Sequence, residues 1–154
     1  EDAVRKSLES EPLAHLIIIN APGNVVIGGD KSACQRVIDE IGRHQAYPLD
    51  YNIVNHCPEI AAYTDEWRKL HSRATTDVPH VRFYSSATCS HYHPTTETSA
   101  QAILDMATHV LDFPAMIENA YNDGVRIFLE HGPRSQCSQW IDQILKDKEH
   151  LLLD

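Results

Sequence analysis

Apolar and polar positions alternate along this chain in blocks that predict short strands and amphipathic helices in turn. The opening "EDAVRKSLES" reads as a charged helical end over residues 1 to 11. "HLIIINA" (His15 to Ala21) is continuous in β-branched apolar residues, the pattern of a strand buried on both faces. "PGN" then predicts a turn, and "VVIGG" (Val25 to Gly29) returns as a second strand, giving a hairpin. Asp30 is placed to cap a helix whose apolar positions Ala33, Cys34, Val37, Ile38 and Ile41 keep helical spacing, with Gly42 marking its end. A short strand, "AYPLD", is expected next.

Beyond it, "PEIAAYTDEWRKLHSRA" predicts an amphipathic helix with Pro58 in its first turn and Ile60, Tyr63, Trp67 and Leu70 on one face. "VRFYSSAT" predicts a strand. "TTETSAQAILDMATHVLD" offers Thr or Ser caps ahead of a helix, and "FPAMIENAYNDG" a second helix closed by Gly124. "VRIFLE" (Val125 to Glu130) predicts a strong buried strand, followed by the turn "HGPRS" and the helix "QCSQWIDQILKD". The order suggests an α+β layer in which one helix covers an antiparallel sheet, leading without a linker or repeat into an α/β second half.

At 154 residues, one domain or two small lobes sharing a core is the expected size. A net charge of -9 argues against a nucleic-acid binder, which needs a cationic face. The longest apolar run falls far below the roughly 20 residues that cross a bilayer, and the first residues lack the basic and apolar regions of a secretory signal. A cytoplasmic location and no membrane partner are therefore expected. Cys34, Cys57, Cys89 and Cys137 are widely spaced with no C-x-x-C pair, so they read as reduced packing thiols and not as a disulfide scaffold or zinc cage.

Three segments carry a resemblance. "NAPGNVVIGGD" is similar to an "N-S-P-x-x-V-V-I-S-G" hairpin, and "DYNIVNHCPEI" to a segment in which "S-H-S-P" or "F-H-S" follows a strand. "RFYSSAT" through "HVLDFPAMIENAYNDGVRIFLEHGP" is similar to "F-Y-S-T-V-T", "P-V-R-F-x-x-A-V" and "G-x-x-x-F-V-E-x-G-P". In this order, over residues 13 to 140, they resemble the malonyl-CoA:acyl-carrier-protein transacylases and the acyltransferase domains of polyketide and polyunsaturated fatty acid synthases. The ending "EHGPRSQCSQWI" looks more like the synthases of polyunsaturated or glycolipid acyl chains.

The resemblance implies an α+β fold: residues 1–12 a leading helix or linker, 13–80 a ferredoxin-like subdomain, and 81–154 the C-terminal α/β part of the acyltransferase large subdomain. It implies transfer of an acyl or malonyl group from coenzyme A to an acyl carrier protein through a serine ester, with acyl-CoA and phosphopantetheine as substrates and no bound cofactor. A non-catalytic docking module of a synthase is the alternative. The family's serine lies in a "G-H-S-x-G" elbow, and this chain contains no G-x-S-x-G. The elbow is expected ahead of Glu1, which would make the chain part of a larger domain, inactive alone and with an apolar surface prone to dimerise.

Serine needs a base, and a histidine titrating near working pH serves, typically contributing ~10²–10⁴-fold. The resemblance puts His56 in that role. It aligns Asp112, in "VLDF", with the position whose backbone carbonyl orients the base, its carboxylate being a further aid; a solvated residue at a helix end is the other reading. Ile53, Val54 and Asn55 fall where polyketide acyltransferases differ in extender-unit choice, and "IVNH" matches neither familiar pattern. "CSHYHP" gathers Cys89, His91 and His93 but lacks a fourth metal ligand. Cys57, beside the proposed base, reads as a packing residue.

Overall fold

The computed structural model describes residues 1–49, 51 and 55–154. Its centre is β1 (Ala14–Ala21), which pairs antiparallel with β2 (Asn24–Gly29) in the predicted hairpin. Pro22 and Gly23 form the connection, with Gly23 at φ 76°, the left-handed geometry that the second central residue of a type II turn requires. Gly29, at φ 138°, has no room for a side chain: a Cβ there would lie 2.1 Å from the carbonyl oxygen of Leu13. This close approach carries the Asp30 N–H to that same carbonyl at 2.8 Å and starts the next helix.

That helix, α2 (Lys31–Ile41), follows α1 (Asp2–Leu8) in the chain. Asp30 caps α2 as predicted, its carboxylate accepting from the N–H groups of Ser32 and Ala33. Ala33 and Val37 are wholly buried against Ala14 of β1, with Leu8, Ile27, Cys34 and Ile41 around them. Within residues 1–12, α1 docks on α2 and its buried Ser7 donates to Glu40 at 2.5 Å.

The expected strand "AYPLD" is not formed at residues 46–49, and Asp50 lies outside the described residues. A 3-10 turn over Arg43–Gln45 leads instead into irregular backbone with Tyr47 and Leu49 exposed. Pro48 cannot donate to a ladder, and these residues have no neighbouring strand among the described residues. The helix expected from Pro58 starts as a 3-10 turn, Pro58–Tyr63, and becomes α3 only at Thr64–His71.

The predicted strand of "VRFYSSAT" is the short β3 (Phe83–Ser85), paired antiparallel with β4 (Ser90–Tyr92). The next helix is α4 (Thr96–Thr108), capped by Thr95 in a reciprocal box with Thr98. Residues Leu111–Asp112 form β5, which pairs parallel with β1, so the main sheet runs β2-β1-β5 and joins residues on either side of position 80. The sheet is therefore mixed, not the purely antiparallel layer expected. Asp112 then caps α5 (Phe113–Asn122).

A second core of Ile117, Ile141 and Leu145 sits between α5 and α6 (Gln136–Ile144), with Phe113, Phe128 and Leu152 against it. Strand β6 (Ile127–Leu129) pairs parallel with β7 (Leu151–Leu153). "VRIFLE" is not the strong buried strand its sequence predicts, since Ile127 and Leu129 are 60% and 71% exposed. Of β6, Phe128 faces the core, and Ile127 and Leu129, on the opposite face of the strand, do not.

Candidate functional site

His56 sits in a turn that its own sequence makes irregular. Pro58 opens the 3-10 segment and Cys57 is extended (φ -147°, ψ 165°), while His56 itself is left-handed at φ 64°. For a residue bearing a Cβ that conformation costs about 1–2 kcal/mol, so surrounding contacts must hold it.

Two of those contacts come from the last turn of α4. The His56 N–H donates to the carbonyl of Ala107 at 2.7 Å, and its ring Nδ1 bonds the carbonyl of Met106. A carbonyl only accepts, so Nδ1 carries the hydrogen. Nε2 is then the lone-pair nitrogen of the neutral ring, the state a general base needs. The carbonyls of Met106 and Ala107 belong to the orphan group at a helix C-terminus and are free to take such donors.

A third contact is Cys57, which is 1% exposed and anchors the turn in the interior. Burial pushes its thiol pKa up, and the neighbouring Glu59 carboxylate adds to this. A thiol so held is protonated and shielded, a packing group and not a nucleophile. Three residues beyond His56, the Glu59 carboxylate meets His15 Nε2 on β1 at 2.5 Å. Burial acts to raise the Glu59 pKa, but hydrogen bonds from Cys57 and His15 outweigh it and leave the carboxyl below its ordinary value.

The remaining candidates fall elsewhere, in part. Asn55 is half-buried next to His56, whereas Ile53 and Val54 lie outside the described residues. Asp112 is not the carbonyl that receives the His56 ring. Its carboxylate accepts from Ala115 N–H at 2.9 Å to cap α5, its N–H donates to the Ser86 carbonyl at 3.0 Å, and its own carbonyl faces the Cys89 thiol at 3.5 Å. The carboxylate is thus committed to a helix end, and the carbonyl that bonds the His56 ring is that of Met106.

The three side chains of "CSHYHP" diverge. Cys89 turns to the carbonyls of Ser86 and Asp112, His91 approaches Asp123 at 3.3 Å, and His93 lies 3.8 Å from Asp77. Among the described residues no three His, Cys, Asp or Glu side chains form a metal-binding group. No helix among them is long and apolar enough to cross a membrane.

No family model matches the chain. In sequence it is 29% identical, over 133 residues, to one component of the polyunsaturated fatty acid synthase of Thraustochytrium sp., with 80% of this chain and 6% of that protein covered. In structure, 99% of the chain superposes on 52% of the malonyl-CoA:ACP transacylase of Synechocystis sp., at a TM-score of 0.85 and 16% identity. The fold is that of about half a malonyl transacylase. A malonyl-transacylase solved in complex with a type II polyketide-synthase acyl carrier protein has the same fold: 99% of this chain covers 50% of it at a TM-score of 0.81 and 19% identity.

Both likenesses agree with the resemblance drawn from "NAPGNVVIGGD", "NIVNHCPEI" and "FLEHGP", and together they place the chain among proteins similar to fatty acid and polyketide synthase acyltransferases. The chain spans only about 6% of the length of the curated relatives it matches. What the fold adds is the environment of His56. The Met106 and Ala107 carbonyls left no mark in the sequence, since any residue type supplies a carbonyl. His15 did leave one, as the single ionisable side chain in an otherwise apolar strand opening.

Proposed function

We propose that this chain is part of an acyltransferase that moves an acyl or malonyl group from coenzyme A to an acyl carrier protein by way of a serine ester, with His56 as its general base. The observation that carries this reading is the ring of His56, tied through Nδ1–H to the Met106 carbonyl with Nε2 left to accept a proton.

Nε2 removes the proton from the serine hydroxyl as its oxygen attacks the thioester carbonyl, and the coenzyme A thiolate leaves and takes that proton from the imidazolium, restoring the neutral ring. In the second half, the same nitrogen takes the proton of the pantetheine thiol, whose sulfur displaces the serine oxygen; that proton returns to serine. The serine comes from protein outside this chain, which contains no G-x-S-x-G. The Met106 carbonyl stabilises the imidazolium formed in each half, the role a buried carboxylate plays in a Ser-His-Asp triad.

Residues 13–80 supply the base from a ferredoxin-like subdomain in this reading, supported by the β1–β2 hairpin and the helix α2 laid across it. Residues 81–154 supply the acceptor carbonyls and the C-terminal α/β part. The carrier protein as acyl acceptor is supported by the complex formed by one protein of the same fold.

The test is transfer of malonate from malonyl-CoA to a holo acyl carrier protein by the full-length protein that contains this chain. His56→Ala is expected to lower kcat by about 10²–10⁴-fold. Transfer at the unmodified rate would overturn the assignment.

A further inference from the structure

The left-handed backbone of His56 lies between two sets of contacts. On one side stand the Met106 and Ala107 carbonyls. On the other, three residues further along, Glu59 reaches β1 and meets His15 at 2.5 Å. Between the two, Cys57 is sealed in the interior.

We propose that His15 is a positioning residue for His56: through Glu59 it pins the 3-10 segment Pro58–Tyr63 to β1, and so keeps the His56 turn in the conformation that delivers its ring to Met106. This deepens the general-base reading above and rests on it.

The geometry separates His15 from an ordinary surface partner. Its side chain is 21% exposed and issues from the central strand, where the backbone at His15 is paired with Gly28 of β2 and is fixed. Glu59 is the movable member, 48% exposed and seated on a short 3-10 segment. A 3-10 segment has poorer hydrogen-bond geometry than an α-helix and little rigidity of its own. A tether to a fixed strand therefore removes motion that its backbone alone would leave. His56 has a conformation that surrounding contacts must impose, and the Cys57–Glu59 side of it has no other side-chain bond to a strand among the described residues. Neither His15 nor Glu59 is assigned contact with substrate; both act through His56.

The test measures malonyl transfer from malonyl-CoA to a holo carrier protein by the full-length protein, with kcat and KM resolved. His15→Leu, which keeps the strand apolar but removes the donor, is expected to lower kcat roughly tenfold and leave KM for malonyl-CoA within about twofold, since a base out of place affects reaction more than binding. His15→Gln puts an amide nitrogen near the position of Nε2 and is expected to restore most of kcat. Glu59→Ala, at an exposed position that folding tolerates, should match His15→Leu, and the double variant should be no worse than either alone.

Full kcat in His15→Leu or in Glu59→Ala, or losses that multiply in the double variant, would overturn the proposal. His56→Ala serves as reference. If it is inactive while His15→Leu is unaffected, the positioning role fails and the general-base reading stands; if His56→Ala is active, both fail.

Discussion

His56 and Met106, fifty positions apart, are joined by a hydrogen bond from an imidazole Nδ1 to a main-chain carbonyl. The bond fixes the tautomer. In the neutral ring, Nδ1 is expected to be protonated and Nε2 bare, the reverse of the tautomer that free histidine prefers. Nitrogen NMR shifts of the His56 ring, assigned by comparison with His56→Gln and read above its titration, report this directly. A ring protonated on Nε2 would contradict the structure.

The carboxylate of Glu130 accepts from the N–H groups of Ser138 at 2.7 Å and Cys137 at 3.2 Å, and so caps α6. These bonds, the one from Ser138 foremost, hold its pKa below the ordinary glutamate value. A carboxyl with a depressed folded-state pKa contributes stability that is complete above its unfolded pKa and is lost as pH falls through the folded one. Glu130→Gln is therefore expected to lower the Tm at neutral pH and to leave a shallower acid limb, the two proteins converging at low pH. A constant difference in Tm from neutral pH down through the acid range would refute the linkage.

Leu145 is wholly buried between α5 and α6. Leu145→Ala is expected to destabilise the fold by about 2–5 kcal/mol, the range for deleting a buried leucine side chain, as measured by urea denaturation. His109→Ala, on an exposed side chain bonded to the last turn of α4, serves as the comparison and should cost far less.

Gly29→Ala adds a methyl group 2.1 Å from the Leu13 carbonyl at a φ of 138°. The β2–α2 junction has to move, and with it the hydrogen bond from Asp30 to Leu13. A loss exceeding about 1 kcal/mol is expected in the same denaturation assay, whereas the same exchange at an unstrained site would stabilise by about 0.4–1 kcal/mol. Gly124→Ala, where nothing lies within 4 Å, bears only the cost of its positive φ and should be the milder change.

What the sequence made legible was local. The Asp30 cap, the Pro22–Gly23 turn, the Thr95 cap and the Gly124 stop each act over three or four residues, and each stands where its chemistry predicted. Pairing over long distances was not legible. Nothing in "VLD" announces that Leu111 and Asp112 lie parallel to Ile18 and Ile19, and nothing in "AYPLD" says that no strand waits beside residues 46–49. The same division runs through the site. The motif singles out His56 and implies an acceptor at Asp112, whereas the ring bonds Met106, because a backbone carbonyl has no sequence signature and the alignment of "VLDF" offers a neighbour of the right kind. The carboxylate of Asp112 is occupied by the first turn of α5 instead.

The connection from α3 to β3, residues 72–82, is exposed throughout, and the His56–Met106 bond spans it. The His56 ring is thus oriented by the closure of a fifty-residue loop and not by its neighbours in the chain. Such closure carries an entropic cost that grows only slowly with length, about 0.6 kcal/mol per doubling, so the connecting segment tolerates change while the two ends do not. The orientation of one imidazole ring therefore records whether the two halves of the chain have come together at all.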